Sequence, residues 1–66
     1  MNVQMLKDKI NAKGYNVETL AEKIGIDRST MYRKLNGDIS TTVKEAVMIR
    51  DALGLTNDEA KSIFFG

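Results

Sequence analysis

Apolar residues recur every three or four positions along this chain, and no proline interrupts them. That spacing stacks side chains on one face of an α-helix, whereas a half-buried strand needs strict alternation. An all-α domain is therefore expected. At 66 residues there is room for one small core, so residues 1–66 are read as a single domain. Domains of this size often lean on disulfides, metals or association. Cys and His are both absent, which excludes disulfides, zinc fingers, imidazole sites and any nucleophilic catalysis that depends on Cys or His. No apolar run approaches the roughly 20 residues that span a bilayer, and the start MNVQMLKDK lacks the apolar segment of a signal peptide. A soluble, cytoplasmic protein without a membrane partner is the expectation.

Cap residues divide the chain into five helices. The first is expected over about residues 2 to 13, with Val3, Leu6 and Ile10 inside, Lys7, Asp8 and Lys9 outside, and Gly14 as its stop. Asn16 caps a second, about 17 to 24, burying Leu20, Ala21 and Ile24. After Gly25, Asp27 caps a third, about 28 to 35, with Met31 and Leu35 buried and Asn36-Gly37 as its end. Thr42 and Glu45 form a capping box for a fourth, whose seam is Val43, Ala46, Val47, Ile49 or Arg50, and Leu53, closed by Gly54. Thr56 and Glu59 repeat that box for a fifth, about 57 to 64, and at least one of Phe64 and Phe65 is expected on the core.

The joint between the second and third helices carries the functional signal. Two helices that cross steeply need a small residue where they touch, here Ala21, and a turn residue free to take positive φ, here Gly25. At about 100° per residue Arg33 falls nearly opposite the midpoint of Met31 and Leu35, with Ser29 and Thr30 to either side, Arg28 at the N-terminal end, and Tyr32 and Lys34 at the flanks. Arginines so placed suit bidentate bonds to guanine O6 and N7, and Ser29 and Thr30 can donate or accept. Taken singly, an exposed Arg is ordinary solvated surface. A net charge of +1 announces no nucleic-acid partner either. The excess is local: between residues 27 and 50, Arg28, Arg33, Lys34, Lys44 and Arg50 stand against Asp27, Asp38 and Glu45. Arg28 directly after a cap also opposes the helix dipole, a small cost that a bound anion would offset.

With these residues in place, KGYNVETLAEKIGIDRSTMYRKLNG resembles the motif of the lambda-repressor-like (Cro/XRE-type) helix-turn-helix family. AVMIRDALGL is similar to the family's fourth helix, and the IFF ending to that of short phage and prophage members. The resemblance covers nearly the whole chain. It implies a five-helix DNA-binding domain with the helix-turn-helix at helices two and three, and a homodimer on a pseudo-palindromic site in double-stranded DNA. It further implies transcriptional regulation, usually by blocking RNA polymerase, with Arg28, Ser29, Tyr32 and Arg33 at base edges. Two positions depart from the pattern: Val17 stands where the family often has a bracing Gln, and Lys34 where many members bury an apolar side chain.

Phosphate contacts are expected from the helix-two amides near Asn16 and Val17, from Thr30, and from Asn36, Thr41 and Lys44 around the loop before helix four. The leading expectation is a sequence-specific DNA-binding regulator, such as a phage or mobile-element repressor, with no cofactor and no small-molecule ligand. A protein-interaction module on the same fold, such as an antitoxin or a recruiting subunit, is the alternative, and the Phe64-Phe65 end would serve it. An enzyme ranks last, since Asp51, Asp58 and Glu59 take capping or i, i+4 positions.

Overall fold

A computed structural model describes all residues, Met1–Gly66, as five α-helices without a strand. They are α1 (Val3–Ala12), α2 (Val17–Ile24), α3 (Arg28–Leu35), α4 (Val43–Leu53) and α5 (Asn57–Phe64). The helix order and the ends agree with the cap reading to within a residue or two. α2 packs on α3 and α4, and α5 packs on α4 and α1.

Each boundary has a chemical cause. Asn2 caps α1 by accepting from the Met5 amide, and capping boxes open α2 (Asn16 with Thr19), α4 (Thr42 with Glu45) and α5 (Thr56 with Glu59). The box at α2 uses a threonine where a Glu or Gln is usual, because its hydroxyl reaches back to the Asn16 amide at 2.8 Å. Asp27 departs from expectation. It occupies the N-cap position of α3 with extended backbone, yet its side chain makes no capping bond. At the helix-turn-helix joint Gly25 adopts φ +79, and the Ile26 amide donates back to the Ala21 carbonyl at 3.0 Å. This closure satisfies an end carbonyl and turns Ile26 onto the core, and a side chain at Gly25 would be strained there. Gly54 repeats the arrangement, with the Leu55 amide on the Arg50 carbonyl and Leu55 buried.

The core is one cluster built around Leu6, Leu20, Met31, Ile49, Leu53 and Ile63. Leu20, Ala21 and Ile24 of α2 are all buried, as their spacing requires. Val43 and Val47 are not: they remain exposed, so the α4 seam is Ala46, Ile49 and Leu53. The helix turns its 46–49–53 edge inward, which leaves the 43–47 edge outside. Phe64 packs partly on the core while Phe65 is exposed, and the Asn2 amide bonds the Ile63 carbonyl at 2.6 Å, fastening the two chain ends together. Lys9, expected outside, is half-buried and paired with Glu59, which ties α1 to α5.

Candidate nucleic-acid interface

The third helix presents two chemically different faces. Met31 and Leu35 anchor it in the core, and Arg28, Ser29, Tyr32 and Arg33 are exposed. Arg33 stands opposite the buried pair, as the 100° step demands. Neither Arg28 nor Arg33 has an ion-pair partner, so both guanidinium groups keep their full donor sets. Thr30 is half-buried at the edge of the same face.

Lys34 is a correction to the flanking position expected for it. It is buried, 5% exposed, with its ammonium donating to the Ser40 carbonyl at 2.9 Å and to Glu45 at 2.8 Å. Stepping from Met31 puts residue 34 only about 60° from it on the core side, so the long stem lies where an apolar residue would go and the charge emerges at the start of α4. The Glu45 oxygen that takes this bond also accepts from the Thr42 amide at 2.9 Å. Lys34, and secondarily the Thr42 amide, hold the Glu45 carboxyl below its ordinary pKa. One carboxylate thus caps α4 and fixes the end of α3. The local cation excess shrinks accordingly. Arg50 is likewise engaged, with Asp51 at 3.0 Å and Asn57 at 3.1 Å, which leaves Arg28, Arg33 and Lys44 as the open cations of residues 28–50.

At the other edge of α3 the structure supplies a group that the sequence reading did not single out. The Tyr32 hydroxyl donates to the carboxylate of Glu18, on the first turn of α2. That bond, followed by Glu18's own backbone amide and the nearby Arg28, lowers the Glu18 pKa, and the same bond raises that of Tyr32. No spacing within one helix could disclose the pair, because its members lie 14 residues apart on crossing helices. Asn16, Val17, Glu18 and Tyr32 border one shallow groove of about 210 Å³ together with Lys7 and Asn11 of α1.

The expected phosphate contacts fall into two places. Asn16 is occupied by its capping box, its side chain accepting from the Thr19 amide and its own amide donating to the Thr19 hydroxyl. Val17 offers an unengaged first-turn amide beside it. Asn36 is exposed at the C-terminal end of α3, and Lys44 is exposed in the first turn of α4. Thr41 lines a different groove, of about 360 Å³, with Met1, Ile39, Ser40 and Phe65, and its hydroxyl is directed at the Met1 sulfur at 3.9 Å. Asn16 and Val17 therefore share a groove with Tyr32, whereas Thr41 belongs to the loop between α3 and α4. No group of His, Cys, Asp and Glu side chains suited to a metal ion is present, and no helix is long and apolar enough to cross a membrane.

A helix-turn-helix family model matches residues 6–59, which spans all of α2, α3 and α4 and most of α1. No match was found among curated proteins or among solved structures.

Proposed function

The chain belongs to the Cro/XRE-type helix-turn-helix family, a family of DNA-binding regulators, and on that premise we propose that it is a sequence-specific repressor of transcription, of the phage or mobile-element kind. It acts as a homodimer on a pseudo-palindromic site, with α3 in the major groove. Arg28, Ser29, Tyr32 and Arg33 contact base edges. Asn16, Val17, Thr30, Asn36, Thr41 and Lys44 contact the backbone, Val17 through its amide. The observation that carries the reading is the unpaired state of Arg28 and Arg33 on the exposed face of α3, in a molecule that engages Lys9, Lys34 and Arg50 elsewhere. The dimer reading is supported by the apolar surface left exposed on α4 and just past α5. Val43 is 65%, Val47 39% and Phe65 67% exposed, around a groove of about 140 Å³ between α4 and α5, and one module this small makes few DNA contacts alone.

Selection of sites from a random duplex library tests the proposal. The expected product is a two-fold-related site whose affinity falls steeply with added salt, since each neutralised phosphate releases counterions. Sedimentation should show two copies per site, and Val47→Lys should lower that to one. If no sequence is enriched while a protein is captured through Val43, Val47 and Phe65, the interaction-module alternative replaces this one.

A further inference from the structure

The Glu18–Tyr32 contact sits on the face proposed to meet DNA, and its charge is the wrong one for a phosphate. Glu18 is half-buried on α2, Tyr32 is 43% exposed on α3, and Arg28 is close enough to Glu18 to influence its titration. The tyrosine hydroxyl has one proton, and that proton is already given to the carboxylate. Tyr32 is therefore no donor to guanine N7, to a carbonyl of a base or to a phosphate oxygen. The neighbouring carboxylate also repels all of those acceptors. What Tyr32 still offers is a hydroxyl lone pair beside the carboxylate and, over a larger area, its ring, held at the hydroxyl end in a residue that is 43% exposed. In a major groove the apolar feature of a base edge is the 5-methyl group of thymine.

We propose that Glu18 is a positioning residue that holds the Tyr32 ring against a thymine methyl group, so that the pair specifies thymine at one position of each half-site. The inference rests on the DNA-reading proposal above and adds to it the identity of one base and the device that selects it. Because Glu18 also opposes phosphate approach, its removal raises affinity for DNA of any sequence, so the informative quantity is a ratio between two sites and not an affinity.

The test replaces thymine by deoxyuridine in the selected site, one position at a time, which removes the methyl group and nothing else. For the wild-type protein one position per half-site is expected to lose about fourfold in affinity, the worth of one buried methyl group. Tyr32→Ala and Glu18→Ala should bind thymine and uracil equally at that position, while their preference for the guanine read by Arg33 persists. Glu18→Gln, whose amide carbonyl can still accept from the hydroxyl, should restore most of the ratio. The inference is overturned if no thymine shows the effect, or if Glu18→Ala keeps the full thymine-to-uracil ratio. Both results leave the two-fold site and its guanine preference standing. A protein that enriches no sequence at all overturns the DNA-reading proposal and this one with it.

Discussion

Two glutamates tie α3 to its neighbours, one at each edge, and they do different work because one tie is covered and the other open. Glu45 meets Lys34, whose side chain is 6% exposed, and at the same oxygen caps α4. Glu18 meets Tyr32, which stands 43% exposed. Water competes poorly for the first pair and well for the second. The covered tie therefore contributes to holding the fold together, and the open one fixes the direction of a side chain without adding appreciably to stability. Between them stand Arg28 and Arg33, neither with an ion-pair partner.

The largest effect is expected where the covered tie is cut. Lys34→Ala leaves Glu45 with the Thr42 amide and partial solvent but no cation, and widens the groove that Lys34 lines with Ala46 and Phe64. The expected loss is roughly 2 kcal/mol, or on the order of 10 °C in the thermal midpoint. Lys34→Met fills the volume without the charge and should fall within about 1 kcal/mol of the wild type. Thermal unfolding by circular dichroism of both variants separates packing from charge. If the alanine variant melts with the wild type, the tie is not structural and the contrast drawn above collapses.

Next in size come the unpaired arginines. Arg33→Ala removes an exposed side chain with no intramolecular partner, so the midpoint should not move, while binding to the selected site weakens by about 1–3 kcal/mol and preference relaxes at one guanine. Lys44→Ala sharpens the distinction, because a phosphate contact is sequence-blind. It should weaken all sites alike and flatten the salt dependence.

A third tie extends the comparison into acid. Lys9, with the Thr56 amide second, lowers the Glu59 pKa to about 2, and Lys34 lowers that of Glu45. A carboxyl that titrates lower folded than unfolded contributes stability that is complete above its unfolded value of about 4.5 and is lost as pH falls from there through the folded value. Stability should therefore decline between about pH 4.5 and 2, and Glu59→Gln, which keeps the Thr56 cap, should make that decline shallower. Urea midpoints across this range measure it.

What was legible in the sequence follows the range over which each interaction acts. Caps and helix faces are set by residues three or four apart, so Asn16, Thr42, Thr56 and the trio Leu20, Ala21 and Ile24 could be read directly. Helix orientation about its own axis is decided by neighbours, so spacing alone puts Val43 and Val47 in the α4 seam although both are exposed, and puts Lys9 outside although Glu59 draws it in. Lys34 differs from the expectation for another reason. Its charge argued for the surface, while its angle from Met31 argued for the core, and a Glu45 already committed to capping α4 let the angle win. Of the site, the exposed row on α3 was visible and Glu18 was not, because the pairing exists only once α2 and α3 have crossed.

The smallest expected effect probes the open tie. Tyr32→Phe keeps the ring and deletes the hydroxyl, and since Glu18 can turn to water, the melting midpoint should stay where it is. The electrostatic signature should nonetheless change, because the Tyr32 hydroxyl is the first cause of the lowered Glu18 pKa. In the phenylalanine variant the Glu18 carboxyl should titrate nearer its ordinary range, as followed by NMR of its side-chain carboxyl carbon. The thymine-to-uracil ratio should fall as it does in Glu18→Ala, since in both variants the ring remains but is no longer held. A Glu18 titration unmoved by the loss of the hydroxyl would mean that the two groups do not meet in solution, and α3 would then have one fastened edge and one loose one.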